Sequence, residues 1–381
     1  MIVLGKIPET KLFVTIVIED GKVTQIEPYQ KGKAYDFGGT NLYLSSGFFD
    51  PQVNGFAGVD FNSPYLTHEG FHRAVRLLAS TGVTHFLATL ITSSHERMVQ
   101  QLKKLAKAIS NDPFSKKMCL GIHLEGPYIS PEEGPRGVHS HEFVRLPEWE
   151  ELEKFQESCE GRIKCITLAP ELKGAIPFIE KAVAQGIVVG IGHSHAPENM
   201  IEEAVQAGAR LCSHLGNAPS GISPPYQNLI QKQLTMTQLM ASLIADGVHL
   251  PAPLLKKYIW RKGIDRILLT TDSMAGAEAP PGRYTLGELD VEVGLDRTAR
   301  LAGSARLAGS TLTMDRAITN VIRFAGVDLA SAIHMATKNP QTLFPGSVSQ
   351  ILPDESADLV LFEYHNELIV KATWLEGEKI F

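Results

Sequence analysis

Between residues 46 and 345 the chain alternates two rhythms. Short, nearly unbroken apolar runs fall near 46–54, 83–90, 118–125, 163–170, 187–193, 209–214, 240–246 and 266–272. Between them lie stretches whose apolar positions recur every three or four residues, as at 68–80, at 95–109, and at 197–207 behind the cap-like Ser194. The first pattern predicts buried strands and the second amphipathic helices; their alternation predicts a parallel sheet with helical crossovers. Eight such runs in roughly 230 residues match a closed (β/α)8 TIM-like barrel, which takes about 250 residues. An open doubly wound sheet is the alternative, but no G-x-G-x-x-G or P-loop follows the first run.

Both ends of the chain read differently. Residues 11–18 and 22–26 are strand-like around the turn Glu19-Asp-Gly21, and 357–362 and 368–374 repeat that style around His365-Asn366. Neither end can bury a core alone. The expectation is therefore a small β-sandwich domain built from residues 1–45 plus 346–381, attached to a barrel at 46–345. The echo Leu301-Ala-Gly-Ser304 and Leu307-Ala-Gly-Ser310 is too short for a structural repeat and reads as a turn leading into a helix at 311–324.

The composition, with 381 residues, 44% hydrophobic and 20% charged, suits an ordinary water-soluble globular chain. A formal net charge of -6 argues against a nucleic-acid partner. Cys119, Cys159, Cys165 and Cys212 show no C-x-x-C pairing, which fits a reducing compartment. With no secretory pattern at the N-terminus and no apolar stretch of about 20 residues, the expectation is a cytoplasmic protein without a membrane partner.

Candidate chemistry sits where the apolar runs stop. In Gly121-Ile-His-Leu-Glu-Gly-Pro127 the run ends in Glu125 and is broken at once by Gly126-Pro127, so the carboxylate should face a loop at a strand end. The other runs end in Gln52 and Asn54, in His193 and His195, in His214, in Asp246 with His249 just beyond, and in Asp272. In a barrel those ends converge on one mouth. Glu125 with two histidines supplies three N/O ligands, which a water would complete to a four-coordinate catalytic site for one divalent metal ion per subunit. Zn2+ fits this set best, with Fe2+ or Mn2+ acceptable and Ca2+ poor. Asp272 reads either as an acid–base partner beside that metal or as a cap of the next segment.

Five ordered motifs then coincide: His123-Leu-Glu-Gly-Pro127, Gly192-His-Ser194, Ser213-His-Leu-Gly-Asn-Ala218, Ile244-Ala-Asp-Gly-Val-His249 and Thr271-Asp272. Together they resemble the N-acetylglucosamine-6-phosphate deacetylases of the amidohydrolase superfamily, over nearly the whole chain. The resemblance implies the barrel with its terminal β domain, and a homodimer. It further implies that Glu125, His193 and His214 hold the metal and that Asp272 deprotonates the attacking water, then protonates the leaving amine. His139 would stand near the substrate carbonyl. Asn217, the backbone at Ala218 and His249 would hold the sugar phosphate, and Gln52 would hydrogen-bond a metal water.

Two departures qualify it. Many relatives in the superfamily carry His-x-His on the first strand; here Gln52 and Asn54 occupy those places, so one metal is expected. The usual phosphate-clamping arginine is missing, since no basic residue lies between Asn217 and Lys232. Arg73, Arg136 or an arginine of a partner subunit are the candidate replacements. The expected reaction is hydrolysis of N-acetylglucosamine 6-phosphate to glucosamine 6-phosphate and acetate. The alternatives are a different or unphosphorylated N-acyl sugar and, in another class, a non-catalytic metal-containing sugar-binding protein.

Overall fold

A computed structural model describes residues 1–217 and 229–381. Its centre is an eight-stranded parallel sheet: β1 (Phe48–Val53), β2 (Val83–Ile91), β3 (Cys119–Glu125), β4 (Ile163–Leu168), β5 (Val188–Ile191), β6 (Leu211–Cys212), β7 (Met240–Ile244) and β8 (Ile267–Thr270). Consecutive strands pair in order, and a parallel bridge between Val53 and Ser273 brings β1 against the end of β8 and closes the ring. The crossovers include α1 (His68–Leu78), α2 (His95–Ser110), α3 (Trp149–Ser158), α4 (Ala175–Ala184), α5 (Glu198–Gln206), α6 (Leu229–Thr235) and α7 (Ala252–Lys262), and α8 (Met314–Ala325) follows the last strand. All eight predicted runs are strands of this barrel.

The helix starts follow capping chemistry. Thr67 Oγ1 accepts from Gly70 N ahead of α1, and Ser94 Oγ accepts from Arg97 N ahead of α2. Ser194 is not a cap. The residue preceding α5 is Pro197, and Ser194 Oγ instead donates to Glu171 Oε2 at 2.7 Å.

Side chains alternate across each strand, so every second residue enters the barrel. At the N-terminal end the interior is apolar: Phe49, Leu87, Cys165, Leu211 and Leu268 pack with Phe344, whose ring centroid lies 5.3 Å from that of Phe49. Two residues further along, the same inward rows become polar. His123 Nε2 meets Thr167 Oγ1 at 2.8 Å, and Thr167 meets Ser213 Oγ at 2.6 Å. Phe344 thus plugs the floor beneath the polar layer. Its replacement by alanine is expected to lower unfolding free energy by about 3 kcal/mol in denaturant titration, the usual penalty for emptying a buried aromatic site. Metal content per folded chain should not change.

The chain ends form one seven-stranded sheet, mixed because Ile2–Lys6 runs parallel to Phe37–Ser46 while every other pairing is antiparallel. Its edge strand Lys22–Pro28 meets the far half again through the Lys22–Ser356 bridge and the Val23 N to Glu355 O bond. The expected sandwich is therefore a single sheet folded over on itself rather than two separate ones, enclosing Ile16, Ile18, Leu44, Leu359 and Trp374.

One element was not foreseen. After β8, Gly282–Leu286, Leu289–Val293 and Ala299–Leu301 form a three-stranded antiparallel sheet. The Ala-Gly-Ser echo belongs to it: Arg300 pairs with Leu307 across a short hairpin, and Ser310 bridges to Ser273. The helix that follows begins at Met314 rather than 311.

Candidate functional site

The ladder register explains why distant residues meet. Glu125 on β3 lies opposite Thr167 on β4, Leu168 opposite Ile191 on β5, and Ile191 opposite Cys212 on β6. His193 and His214 each follow two residues after the paired position of their strand, so both emerge at the level of Glu125. Gly126 turns the chain away at φ +82°, where an added Cβ would meet Thr92 Oγ1 at 2.2 Å.

Glu125 Oε1 stands 3.0 Å from His193 Nε2 and 2.7 Å from His214 Nε2, all three residues being buried. His193 Nδ1 lies 2.8 Å from the Pro135 carbonyl, which can only accept, so Nδ1 carries the hydrogen and the Nε2 lone pair faces the carboxylate. A lone pair aimed at an anionic oxygen needs a cation or a proton between them. His214 Nδ1 is buried without a partner. These donors fit one divalent metal ion, and the cluster could hold it. Burial raises the Glu125 carboxyl, but the His193 and His214 nitrogens beside it, with a positive charge shared among the three, hold it well below the usual carboxylate range.

Asp272 completes the mouth. Its Oδ1 accepts from Gln52 Nε2 at 2.9 Å and from Asn54 Nδ2 at 2.7 Å. Gln52 and Asn54 are thus directed at a carboxylate. Burial, reinforced by the Glu125 charge, pushes Asp272 up to about 8. Beneath it Asp50, absent from the sequence-derived candidates, accepts from Thr270 Oγ1, Thr271 Oγ1 and Thr271 N, and burial raises it to about 6. The Asp50-Pro51 pair in the middle of β1 carried the only hint.

His193, His214 and Asp272 all have left-handed backbones, with φ of +50°, +29° and +49°. Such strain costs about 1–3 kcal/mol per residue and persists only where neighbours enforce it. Here Ser130 N donates to the His193 carbonyl, His214 N donates to Ser242 Oγ, and Ser310 N donates to the Asp272 carbonyl.

His139 is buried beside this cluster, its ring centroid 4.5 Å from that of His193, and its Nδ1 has no partner. Burial, with the neighbouring His193, lowers it to about 3, so the ring is neutral. Asn217 and His249 line the same cleft of about 390 Å³, together with Glu125, His193 and Asp272. Asp246 orients His249: its Oδ2 meets His249 Nδ1 at 2.6 Å and its Oδ1 accepts from His249 N at 2.8 Å. Ala218 lies outside the described residues. His195 does not line the cleft and contacts Ser130 Oγ and Glu171 instead.

Neither arginine named from this chain reaches the cleft. Arg73 is exposed on α1, and Arg136 donates to the carbonyls of Pro131 and His139, within its own loop. The three-stranded sheet and the hairpin behind it contribute Leu286, Arg306, Leu307 and Gly309 to the cleft wall. Sequence reasoning missed all four, because Leu286 ends a short, half-exposed strand and the other three lie beyond the last short strand of that sheet.

The amidohydrolase family model matches residues 43–380. An N-acetylglucosamine-6-phosphate deacetylase of Homo sapiens is 34% identical, over 89% of this chain and 83% of its own length. An N-acetylgalactosamine-6-phosphate deacetylase of Escherichia coli O157:H7 is 32% identical, over 95% of this chain and 93% of its own. Among solved structures, N-acetyl-D-glucosamine-6-phosphate deacetylase of Mycobacterium smegmatis in complex with N-acetyl-D-glucosamine-6-phosphate superposes with a TM-score of 0.91 at 26% identity, covering 100% of this chain and 99% of that one. With the family match, these relatives and the barrel with its terminal sheet in agreement, the chain belongs to the amidohydrolase family and, within it, to the N-acetylglucosamine-6-phosphate deacetylases.

Proposed function

We propose that this chain hydrolyses the acetamide of N-acetylglucosamine 6-phosphate, releasing acetate and glucosamine 6-phosphate. The observation that carries the reading is the cluster of Glu125, His193 and His214, two of which, Glu125 and His193, line the same cleft as Asp272. Glu125, His193 and His214 hold one divalent cation, for which Zn2+ suits the two imidazoles and one carboxylate best. When bound, that cation supplies Lewis acidity and an acidified water.

The remaining work falls to the chain's own groups. With a bound cation offsetting the Glu125 charge that raises it, Asp272 would be ionised, take the proton of the attacking water and return it to the amine nitrogen as the C–N bond breaks. Gln52 and Asn54, donating to its Oδ1, leave Oδ2 for that transfer. Neutral His139 is placed to donate to the acetamide oxygen as charge develops there. Asn217 and His249, the latter fixed by Asp246, face the distal end of the sugar. The terminal sheet, from residues 1–45 with 346–381, forms a separate domain that supports the barrel away from the chemistry.

A second reading differs only in one hydroxyl of the sugar. The match to an N-acetylgalactosamine-6-phosphate deacetylase is as extensive as that to the human N-acetylglucosamine-6-phosphate deacetylase, and supports a galactose-configured substrate. Both readings are tested by amine release from the two sugar 6-phosphates with metal-reconstituted protein, before and after chelation. Turnover of one sugar that chelation abolishes and Zn2+ restores is the expected result. No amine from either would overturn both.

A further inference from the structure

A phosphorylated substrate brings two negative charges into a cleft that already holds Glu125, Glu133 and Asp272. The segment following Asn217 offers no cation, since residues 218–231 contain no Lys or Arg. Among the described residues lining the cleft there is one arginine and no lysine: Arg306. Arg297 and Arg316 line a separate small cavity that shares His249, but each donates to a backbone carbonyl, of Ala279 and Thr311 respectively.

Arg306 is well placed for the task. Its backbone is fixed by the hairpin, with Leu301 N donating to the Arg306 carbonyl and Arg306 N donating to Ser304 Oγ. Its guanidinium is half-exposed and pairs with the still more exposed Glu133, which lies on the loop that also carries Pro135 and His139. An ion pair this open to water is weak and readily exchanged. A phosphate offers the guanidinium two parallel hydrogen bonds and a higher charge than one carboxylate.

We infer that Arg306 is the residue that receives the anionic end of the substrate, and that Glu133 is its resident counter-ion, exchanged for the substrate phosphate on binding. The inference rests on the function proposed above and adds its specificity element, a cation carried by the post-barrel hairpin rather than by the loop after β6. It also gives Glu133 a role, holding the guanidinium at the rim while the cleft is empty.

The test is the ratio of kcat/KM for N-acetylglucosamine 6-phosphate to that for N-acetylglucosamine, in wild type, R306M, R306K and E133Q. We expect R306M to lower the ratio about 10²-fold, chiefly through KM for the phosphorylated sugar, as expected for loss of a charge-assisted contact. R306K should recover part of it, and E133Q should leave the ratio equal to or above that of wild type. A wild-type ratio near one, or an R306M ratio equal to that of wild type, overturns the inference. So does E133Q falling as far as R306M, which would make the pair a structural latch. If wild type cleaves neither sugar, the functional reading fails separately. Calorimetry with inorganic phosphate then decides: a Kd weakened tenfold or more in R306M upholds the anion assignment, and an unchanged Kd overturns it.

Discussion

Asp272→Asn is expected to lower kcat by about 10³-fold on the preferred sugar phosphate, within the range found for a positioned acid–base, while metal content stays at the wild-type level. The substitution is structurally mild. An asparagine in that place keeps the oxygen that accepts from Gln52 and Asn54, and it tolerates the left-handed φ of +49° better than most residues. It removes only the carboxylate capable of holding a proton between the two halves of the reaction. Turnover and elemental analysis on the same preparation separate the outcomes. If activity persists, Asp272 is not the proton carrier; if metal is lost as well, Asp272 is a ligand and the three-residue site is incomplete.

The main features of the site were legible because barrel geometry turns a one-dimensional pattern into a place. Glu125, His193, His214 and Asp272 each end an apolar run, and in a closed parallel sheet all such ends share one mouth. What the pattern could not convey is how polar residues at those ends are paired. Gln52 and Asn54 are recognisable as poor metal ligands, but their hydrogen bonds to Asp272 span more than 200 residues of sequence and become visible only when β1 closes against β8. Asp50 was hidden for a similar reason, its partners Thr270 and Thr271 lying on the far side of the ring seam.

Arg306 was illegible for a different reason. Periodicity detects elements that bury a continuous face, and the strand that leads into its hairpin buries little: Ala299–Leu301 has one buried residue out of three. An exposed arginine between two Ala-Gly-Ser copies carries no sign of the cleft it enters. The same limit applied to Ser194, whose resemblance to a helix cap was outweighed by the Glu171 carboxylate next to it. Strand-end chemistry is thus read from the chain more readily than chemistry carried by late, half-exposed insertions.

Glu125→Gln is expected to abolish metal binding and to lower kcat/KM at least 10³-fold, more than the usual tenfold to hundredfold effect of disturbing an outer-shell partner of a metal ligand. One oxygen of Glu125 faces both histidines, so the carboxylate is the sole negative charge of the ligand set. With glutamine there the set becomes neutral, and its amide N–H can donate to a histidine lone pair, satisfying without a cation what the native residues leave opposed. Stability gives an independent reading. A ligand that binds only the folded state raises its stability by RT ln(1 + [L]/Kd), about 2.7 kcal/mol at a hundredfold excess over Kd. Zn2+ should therefore raise the Tm of metal-stripped wild type and leave that of Glu125→Gln unmoved. Equal Tm gains in the two proteins would place the metal elsewhere and remove the foundation of the proposed chemistry.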